Sequence, residues 1–186
     1  MSEISDMIQR LCPDGVEYRK FADVCIYEQP TKYIVHSINY SDEYETPVLT
    51  AGQSFILGYT NEMDGIYNAS KENPVIIFDD FTGAFKWVNF PFKVKSSAMK
   101  MLTSNCDVLL RYVFHYMGAL NFSSSEHTRL WIGTYSNFEI PVPPLEVQRK
   151  IVEVLDNFSE LTARQKQYEY YRDNLLNFNR GGASNE

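Results

Sequence analysis

The sequence of 186 residues predicts an α/β (α+β) globular domain followed by one long C-terminal helix. Hydrophobic residues make up 44% of the chain, which is enough to build the core of a single domain. Short β-branched and aromatic segments separated by turn residues fill much of the first 100 residues and predict strands. No proline or glycine occurs between residues 145 and 180, so this stretch predicts a helix. We expect a globular domain over 1–140, the helix over 141–180 and a disordered tail over 181–186.

The expected domain begins with a short helix that ends near Arg10 and a strand or turn over 18–26. The other expected strands are 47–50 and 54–58 on either side of a turn at Gly52, then 74–78, 85–90 and 92–95. Apolar residues at helical spacing predict a helix over 107–120; they are Val108, Leu109, Tyr112, Val113, Tyr116 and Met117. Residues 123–128 are polar and are expected to form a loop. From Trp131 to Ile140 the chain is expected to return to the domain.

The long helix is expected to begin at Leu145, because three prolines stand directly before it. Pro141, Pro143 and Pro144 cannot continue a strand ladder, whereas proline is favoured at the start of a helix. About 34 residues at a rise of 1.5 Å each would reach about 50 Å. A helix of this length at the end of a domain is suited to set a distance or to bind another helix.

A heptad repeat runs along this helix and predicts a partner helix. Its a and d positions are Ile151, Val154, Phe158, Leu161, Gln165, Tyr168, Arg172 and Leu175, and Leu155 widens the apolar stripe. The chain contains no second long helix, so we expect another copy as the partner, in an antiparallel coiled coil. The alternative is that the stripe folds back on its own domain. Polar Gln165 and Arg172 at core positions favour a pair whose register is specified.

Charge is unevenly distributed along the chain. The net charge of −7 argues against nucleic acid as a partner, but residues 84–130 contain 6 basic and 2 acidic residues and form the one basic part. A phosphate contact needs only a local basic face. The alternative is an ordinary acidic protein.

The sequence lacks the patterns of the enzymes considered. It has no glycine-rich cofactor loop after a strand, no Walker phosphate loop and no Asn-Pro-Pro-aromatic motif. Asp79, Asp80 and Lys86 come closest to a metal-dependent nuclease, but their spacing does not match, and we interpret the two aspartates as turn residues. The three histidines have neither triad nor zinc spacing, and His115 is expected in the core. We therefore expect no catalysis and no bound metal.

The N-terminus and the cysteines indicate a cytoplasmic protein. No apolar run approaches the length of a membrane span, and the acidic start does not resemble a signal peptide. The three cysteines lack metal or redox spacing, which is typical of thiols in a reducing compartment.

Four segments resemble the DNA-specificity subunits of type I restriction–modification systems. The most specific is the helix start with Pro141, Pro143, Pro144, Leu145, Glu146 and Gln148, followed by Ile151 and Leu155. The segment 12–25 resembles the opening of their target-recognition domains, and 47–53 and 77–84 agree with it. The resemblance covers nearly the whole chain. The full subunits usually carry two recognition domains and two helical regions, whereas this chain has one of each, so a natural half-subunit and a truncated piece both stay open.

The resemblance implies a function without catalysis. The domain would read one part of a split target in double-stranded DNA, and the paired helices would set the distance to a second domain. A separate modification subunit would bind S-adenosylmethionine and transfer the methyl group, and a restriction subunit would add ATP- and Mg-dependent chemistry. The helix start at Glu146, Gln148 and Arg149 would dock the modification subunit. The alternative function is an interaction module that pairs with full-length specificity subunits and changes their target choice.

Candidate DNA contacts follow from charge and loop position. For phosphate contacts we select Lys86, Lys93, Lys95, Lys100 and Arg129. For contacts with base edges we select Lys32, Tyr33, Gln53, Ser125, His127, Thr128 and Arg129. For Lys86 and Lys93 a solvated strand face is the alternative.

Overall fold

The computed structural model describes residues 3–52, 54–122 and 128–176. The strands are β1 (Tyr18–Lys20), β2 (Cys25–Glu28), β3 (Thr46–Leu49), β4 (Ile56–Thr60), β5 (Val75–Asp79), β6 (Phe85–Val88), β7 (Lys93–Val94), β8 (Met99–Ser104) and β9 (Glu139–Pro141). The helices are α1 (Glu3–Leu11), α2 (Phe21–Val24), α3 (Leu110–Leu120), α4 (Leu130–Gly133) and α5 (Leu145–Leu176). Short 3-10 turns span Thr31–Tyr33 and Tyr135–Asn137.

A four-stranded antiparallel sheet with the order β2-β8-β5-β6 forms the middle of the domain. Its side chains alternate between two faces, and both faces are covered. Ile76, Phe78 and Leu102 pack with α2, α3 and α4 in one core. Ile77 and Met101 point to the opposite face and pack in a second core. The domain therefore has helices on one side of the sheet and a second sheet on the other.

The second sheet has the order β4-β3-β7, with β3 antiparallel to β4 and parallel to β7. Its Leu49 and Val94 are fully buried against the central sheet. A third sheet joins β1 to β9 and ties the start of the domain to the segment before the long helix. The mixed α/β architecture and the long C-terminal helix are as the sequence predicts.

Most of the predicted strands are confirmed. β3 and β4 pair around the turn at Gly52, and β5 and β6 pair across Thr82 and Gly83. Gly83 has a φ of 71°, which favours glycine. β8 was not predicted, although it is central to its sheet. Four of its residues are buried in succession, so its sequence does not alternate between apolar and polar residues. Lys100 also interrupts the hydrophobic run that would otherwise indicate a buried strand.

The predicted helix over 107–120 begins three residues later, at Leu110. It ends at Leu120, and Asn121 directly after it adopts the left-handed conformation with a φ of 45°, a frequent C-terminal cap. His115 is nearly buried on this helix, as expected for a core histidine, and bonds to Asp156 on α5.

The long helix begins at Leu145, as predicted, and spans 32 residues to Leu176, or about 48 Å. Its first three turns dock on the domain, where Val147 is fully buried and Ile151 and Val152 pack against the helical core. From residue 157 to residue 172 every side chain is exposed. The alternative that the helix folds back on its own domain thus holds for the first turns of α5 only.

Candidate nucleic-acid interface and pairing helix

Lys86 and Lys95 lie at the surface, where a phosphate can reach them. Lys86 stands on edge strand β6, and the Nζ atom of Lys95 lies 3.2 Å from the hydroxyl of Tyr40. Lys32 is exposed as well and forms an ion pair with Glu28 at 3.0 Å. Contacts with Tyr33 and Glu28 raise the pKa of Lys32, so this side chain stays charged.

The selection of Lys93 as a phosphate contact is wrong. Its side chain is 2% exposed, and its Nζ atom pairs with Glu62 at 2.9 Å and donates to the carbonyl of Asp64 at 2.6 Å. Glu62 also accepts the backbone N–H groups of His36 and Ser37. Burial opposes the charge of Glu62, but the bonds from Ser37 and Lys93 outweigh it and lower its pKa. Lys93 thus fixes two loops together rather than facing a ligand.

The selection of Lys100 is also wrong, because its side chain is completely buried. Its Nζ atom donates to the Oε1 atom of Gln29 at 3.0 Å and to the carbonyl of Ser97 at 2.8 Å, and lies 3.5 Å from Oδ2 of Asp80. Burial lowers the pKa of Lys100, while Asp80 opposes this effect.

Asp79 is a turn residue, as predicted, whereas Asp80 is a buried residue that contacts two cations. The Oδ1 atom of Asp79 accepts the N–H groups of Phe81 and Thr82. The side chain of Asp80 is 1% exposed and lies between Lys100 and Arg129, with its Oδ2 atom 3.5 Å from a nitrogen of each. Asp80 is therefore a buried carboxylate shared by two cations.

Asp80 also fixes the backbone next to Arg129. Its Oδ1 atom accepts the N–H of Trp131 at 2.8 Å, and its carbonyl accepts the N–H of Leu130 at 2.8 Å. Arg129 itself is half exposed and lies over the ring of Phe81, 5.9 Å from its centroid. Of the selected base-reading residues, Thr128 is exposed beside it. Three others lie outside the described residues: Gln53, Ser125 and His127.

An open groove of about 730 Å³ contains Tyr33, one of the selected residues. The other lining residues with aromatic, amide or guanidinium groups are Tyr67, Asn68, Asn73, Trp87 and Arg111. These side-chain types stack on bases or bond to base edges in nucleic-acid complexes. Sequence reasoning missed them because they come from separate segments, and no spacing in the sequence joins them.

Arg111 connects this groove to the long helix. Its guanidinium lies 4.8 Å from the ring centroids of both Trp87 and Phe114. It also pairs with Asp156 of α5 at 2.8 Å, and His115 bonds to the same carboxylate oxygen at 2.7 Å. Burial opposes the charge of Asp156, but the bonds from Arg111 and His115 outweigh it and lower its pKa. One side of the groove is thus fixed to the point where α5 leaves the domain.

The three selected docking residues at the helix start have different environments. Glu146 and Arg149 are exposed, and Glu146 lies 3.5 Å from Arg10 of α1. Gln148 is completely buried, so its selection as part of a docking surface is wrong. Its amide accepts the N–H of Leu109 at 2.9 Å and donates to the carbonyls of Asp107 and Pro143. Gln148 therefore holds α5 to the domain.

Helix α1 lies against the same helix start. Besides the contact of Arg10 with Glu146, Glu3 pairs with Lys150 at 3.2 Å, so α1 runs antiparallel to α5. None of its described side chains is fully buried. Salt bridges near the surface contribute little stability, so these two ion pairs orient α1 on α5 rather than anchor it strongly.

The predicted pairing stripe on α5 divides into two parts. Ile151 and Val154 are half-buried, and Ile151 contacts its own domain. Large apolar side chains further along the stripe are exposed: Leu155 by 37%, Phe158 by 63%, Leu161 by 58% and Tyr168 by 61%. The polar stripe residues Gln165 and Arg172 are exposed too, and the side chain of Leu175 lies outside the described residues.

The described residues contain neither a metal cluster nor a membrane-spanning helix. No group of three or more histidine, cysteine, aspartate or glutamate side chains among them could hold a metal ion. No described helix is long and apolar enough to cross a membrane.

Comparison with known proteins identifies the family. Residues 13–169 match the family model described as the type I restriction modification DNA specificity domain. The chain belongs to this family. The resemblance of the four segments is thereby confirmed, and the match includes both the domain and most of the long helix.

Curated relatives agree with this assignment. The chain is 51% identical to the EcoR124I/EcoR124II specificity subunit of Escherichia coli over 201 aligned residues, which cover 97% of this chain and 49% of the relative. It is 32% identical to a putative type I specificity subunit of Haemophilus influenzae, S.HindORF215P, over 67% of this chain and 36% of the relative. The chain thus spans half or less of the length of these relatives.

Solved structures show the same fold. The HsdS subunit of Thermoanaerobacter tengcongensis superposes with a TM-score of 0.57 and 16% identity over 88% of this chain and 44% of that chain. The type I S subunit of M. genitalium superposes with a TM-score of 0.62 and 15% identity over 93% of this chain and 48% of that chain. At such low identity the likeness concerns the fold alone.

Proposed function

We propose that this chain is a DNA-specificity half-subunit of a type I restriction–modification system. Its domain reads one half of a split target in double-stranded DNA. The long helix pairs with the helix of a second copy and thereby holds two such domains at a fixed distance. The chain itself performs no catalysis.

The observation that carries this proposal is the change in environment along α5. The helix is anchored by buried Val147 and Gln148, and the 16 side chains from residue 157 to residue 172 are exposed. These residues correspond to a length of about 24 Å. Exposed apolar side chains in a heptad pattern need a cover, and a helix with the same repeat supplies it. An anchored start and an uncovered continuation are what a spacer between two domains requires.

A second copy fits the stripe in antiparallel orientation. With the two-fold axis near Ala163, a and d positions face each other, so that Phe158 meets Tyr168 and Leu161 meets Gln165 of the other copy. The same arrangement places the end of each helix beside the start of the other, close to the domain. A two-fold pair of identical readers demands a palindromic split target.

The DNA-facing side of the domain combines two surfaces in this proposal. Exposed Lys86, Lys95 and Arg129 serve as phosphate contacts, which fix position without reading sequence. The groove that contains Tyr33 and Arg111 offers amide, guanidinium and aromatic groups to base edges.

Methyl transfer belongs to a separate modification subunit that binds S-adenosylmethionine. A restriction subunit, using ATP and Mg, joins through the same complex. Glu146 and Arg149 stand exposed at the helix start and are available to the modification subunit, provided that α1 leaves room. The E. coli relative is named a specificity subunit, which supports this division of labour.

The interaction module stays a second candidate, and the net charge of −7 favours it. Such a module would pair with a full-length specificity subunit through α5 without contributing useful DNA contacts. The two functions differ in their dependence on the surface cations of the domain.

A charge-reversal experiment discriminates between them. Lys86→Glu, Lys95→Glu and Arg129→Glu are combined in one chain, which is purified with its modification subunit and titrated with duplex DNA. The half-subunit predicts that DNA binding is lost while the modification subunit is still retained. Unchanged DNA binding would contradict the reader and leave the interaction module. Reversal of exposed Lys20 and Lys166, which lie outside the proposed DNA, docking and pairing residues, is the control and should leave binding intact.

A further inference from the structure

The cluster around Asp80 has a feature that stability alone does not require. One buried carboxylate lies 3.5 Å from two cations, of which Lys100 is completely buried and Arg129 is half exposed. A single cation would suffice to pair with the carboxylate. The second one stands at the surface, in the basic part of the chain.

The two cations differ in how they are held. Lys100 has two further acceptors, Gln29 and the carbonyl of Ser97, and is fixed in the interior. The described contacts of Arg129 are Asp80 and the exposed ring of Phe81, which lies 5.9 Å away. The guanidinium is therefore oriented, yet open to solvent on one side.

Lys100 lowers the free energy that is needed to separate Arg129 from Asp80. A carboxylate that is buried and loses its sole cation is strongly destabilised, because it stays desolvated without compensation. With Lys100 in place, Asp80 keeps a cation and its bond from the N–H of Trp131 when the guanidinium moves away. Arg129 can then exchange the shared carboxylate for another anion.

Resting on the proposed function, we propose that the buried Asp80–Lys100 pair presents Arg129 to a DNA phosphate. Asp80 orients the guanidinium in the free protein, and Lys100 supplies the charge that lets Arg129 transfer to the phosphate. Asp80 and Lys100 are positioning residues, since both are buried and Arg129 makes the contact.

The salt dependence of DNA binding tests this arrangement. Each protein–phosphate contact contributes about 0.9 to the slope of log K against log salt concentration. The probe is a fluorescein-labelled duplex of about 30 base pairs with mixed sequence, bound by the full chain and followed by anisotropy at several salt concentrations. Thermal unfolding of each variant establishes that it is folded.

Three variants give a pattern that only this arrangement predicts. Arg129→Gln removes the contact and lowers the slope by about 1. Lys100→Met, a change in the interior, lowers the slope by the same amount, because Arg129 must then stay with Asp80. Adding Asp80→Asn to Lys100→Met removes the carboxylate that retains Arg129 and restores the slope. The double variant also guards against a failure of Lys100→Met to fold, since it leaves no buried charge unpaired.

Arg10→Gln is the matched control, because Arg10 is also an exposed arginine in an ion pair but lies away from the Asp80 cluster. The salt-dependence slope of this variant should equal that of the original chain. A folded Lys100→Met variant with an unchanged slope would overturn the proposal, as would a double variant whose slope stays low. If the original chain binds the duplex with a salt-dependent slope and the variants do not follow the pattern, only this inference fails. If the original chain shows no salt-dependent binding, the proposed function fails with it.

Discussion

Replacing Leu161 by serine tests whether the exposed stripe on α5 is a pairing surface. Leu161 is 58% exposed and lies at a d position near the centre of the exposed segment. Full burial of a leucine side chain contributes about 1.5–3 kcal/mol, so covering its exposed part contributes about 1–2 kcal/mol. A symmetric pair contains the residue twice, and the substitution should therefore cost about 2–4 kcal/mol of association free energy. The dissociation constant of the pair should rise about 30- to 1,000-fold.

Sedimentation equilibrium over a range of concentrations measures this change directly. Circular dichroism serves to establish that α5 stays helical in the variant. The matched control is Ile132→Ser, which removes an aliphatic side chain of the same size that is 66% exposed on α4 of the domain. The stripe is refuted as a pairing surface if Leu161→Ser associates as tightly as the original chain, or if Ile132→Ser weakens association equally.

Three further predictions concern individual side chains of the protein: Gln148, Glu62 and Cys25. Gln148→Leu should lower the free energy of unfolding by about 1–3 kcal/mol, because it leaves buried backbone groups unsatisfied. Gln167→Leu, at an exposed position of α5 outside the pairing stripe, should not lower it, and thermal unfolding compares the two variants. Glu62 has a pKa below its ordinary value of 4.5 in the folded protein, so its contribution to stability is complete above that value and is lost as pH falls through the lowered pKa. Urea titrations at pH 3 to 7 should show a smaller loss for Glu62→Gln than for the original chain. Burial raises the pKa of the Cys25 thiol to about 12, so a thiol reagent should label exposed Cys106 far faster than Cys25, and equal rates by mass spectrometry would contradict the packing.

Local signals predict much of the fold. The start of α5 can be predicted because Pro143 and Pro144 stop the extended segment and favour a helix start directly after it. The β5–β6 hairpin can be predicted because a hydrophobic run, a glycine turn and an alternating segment follow each other within residues 75–88. Strand β8 cannot be predicted in this way, since a strand that is covered on both faces lacks the alternation of apolar and polar residues.

The candidate site is harder to predict from the sequence than the fold is. The burial of Lys93 and Lys100 depends on Glu62 and Asp80, which stand far away in the sequence and come close only in the fold. A lysine is usually solvated, and the local sequence around Lys93 and Lys100 does not distinguish a buried lysine from a solvated one. The groove at Tyr33 likewise forms only when distant segments meet.

Gln148 illustrates a related difficulty. Its place in the helix-start motif suggests a surface role, but its three hydrogen bonds show that it joins α5 to the domain. The part of the motif that stays available for a partner is carried by exposed Glu146 and Arg149.

The most direct test of the account is to map methylated sites in cells that express this chain and its modification subunit as the only methylation system. Two identical readers held apart by paired α5 helices predict methylation at a palindromic target whose two halves are separated by a fixed number of unread base pairs. Leu161→Ser should abolish this methylation, and Ile132→Ser should not. Methylation at an asymmetric or undivided site would contradict the symmetric pair, and methylation that is unchanged in Leu161→Ser would contradict the role of the helix.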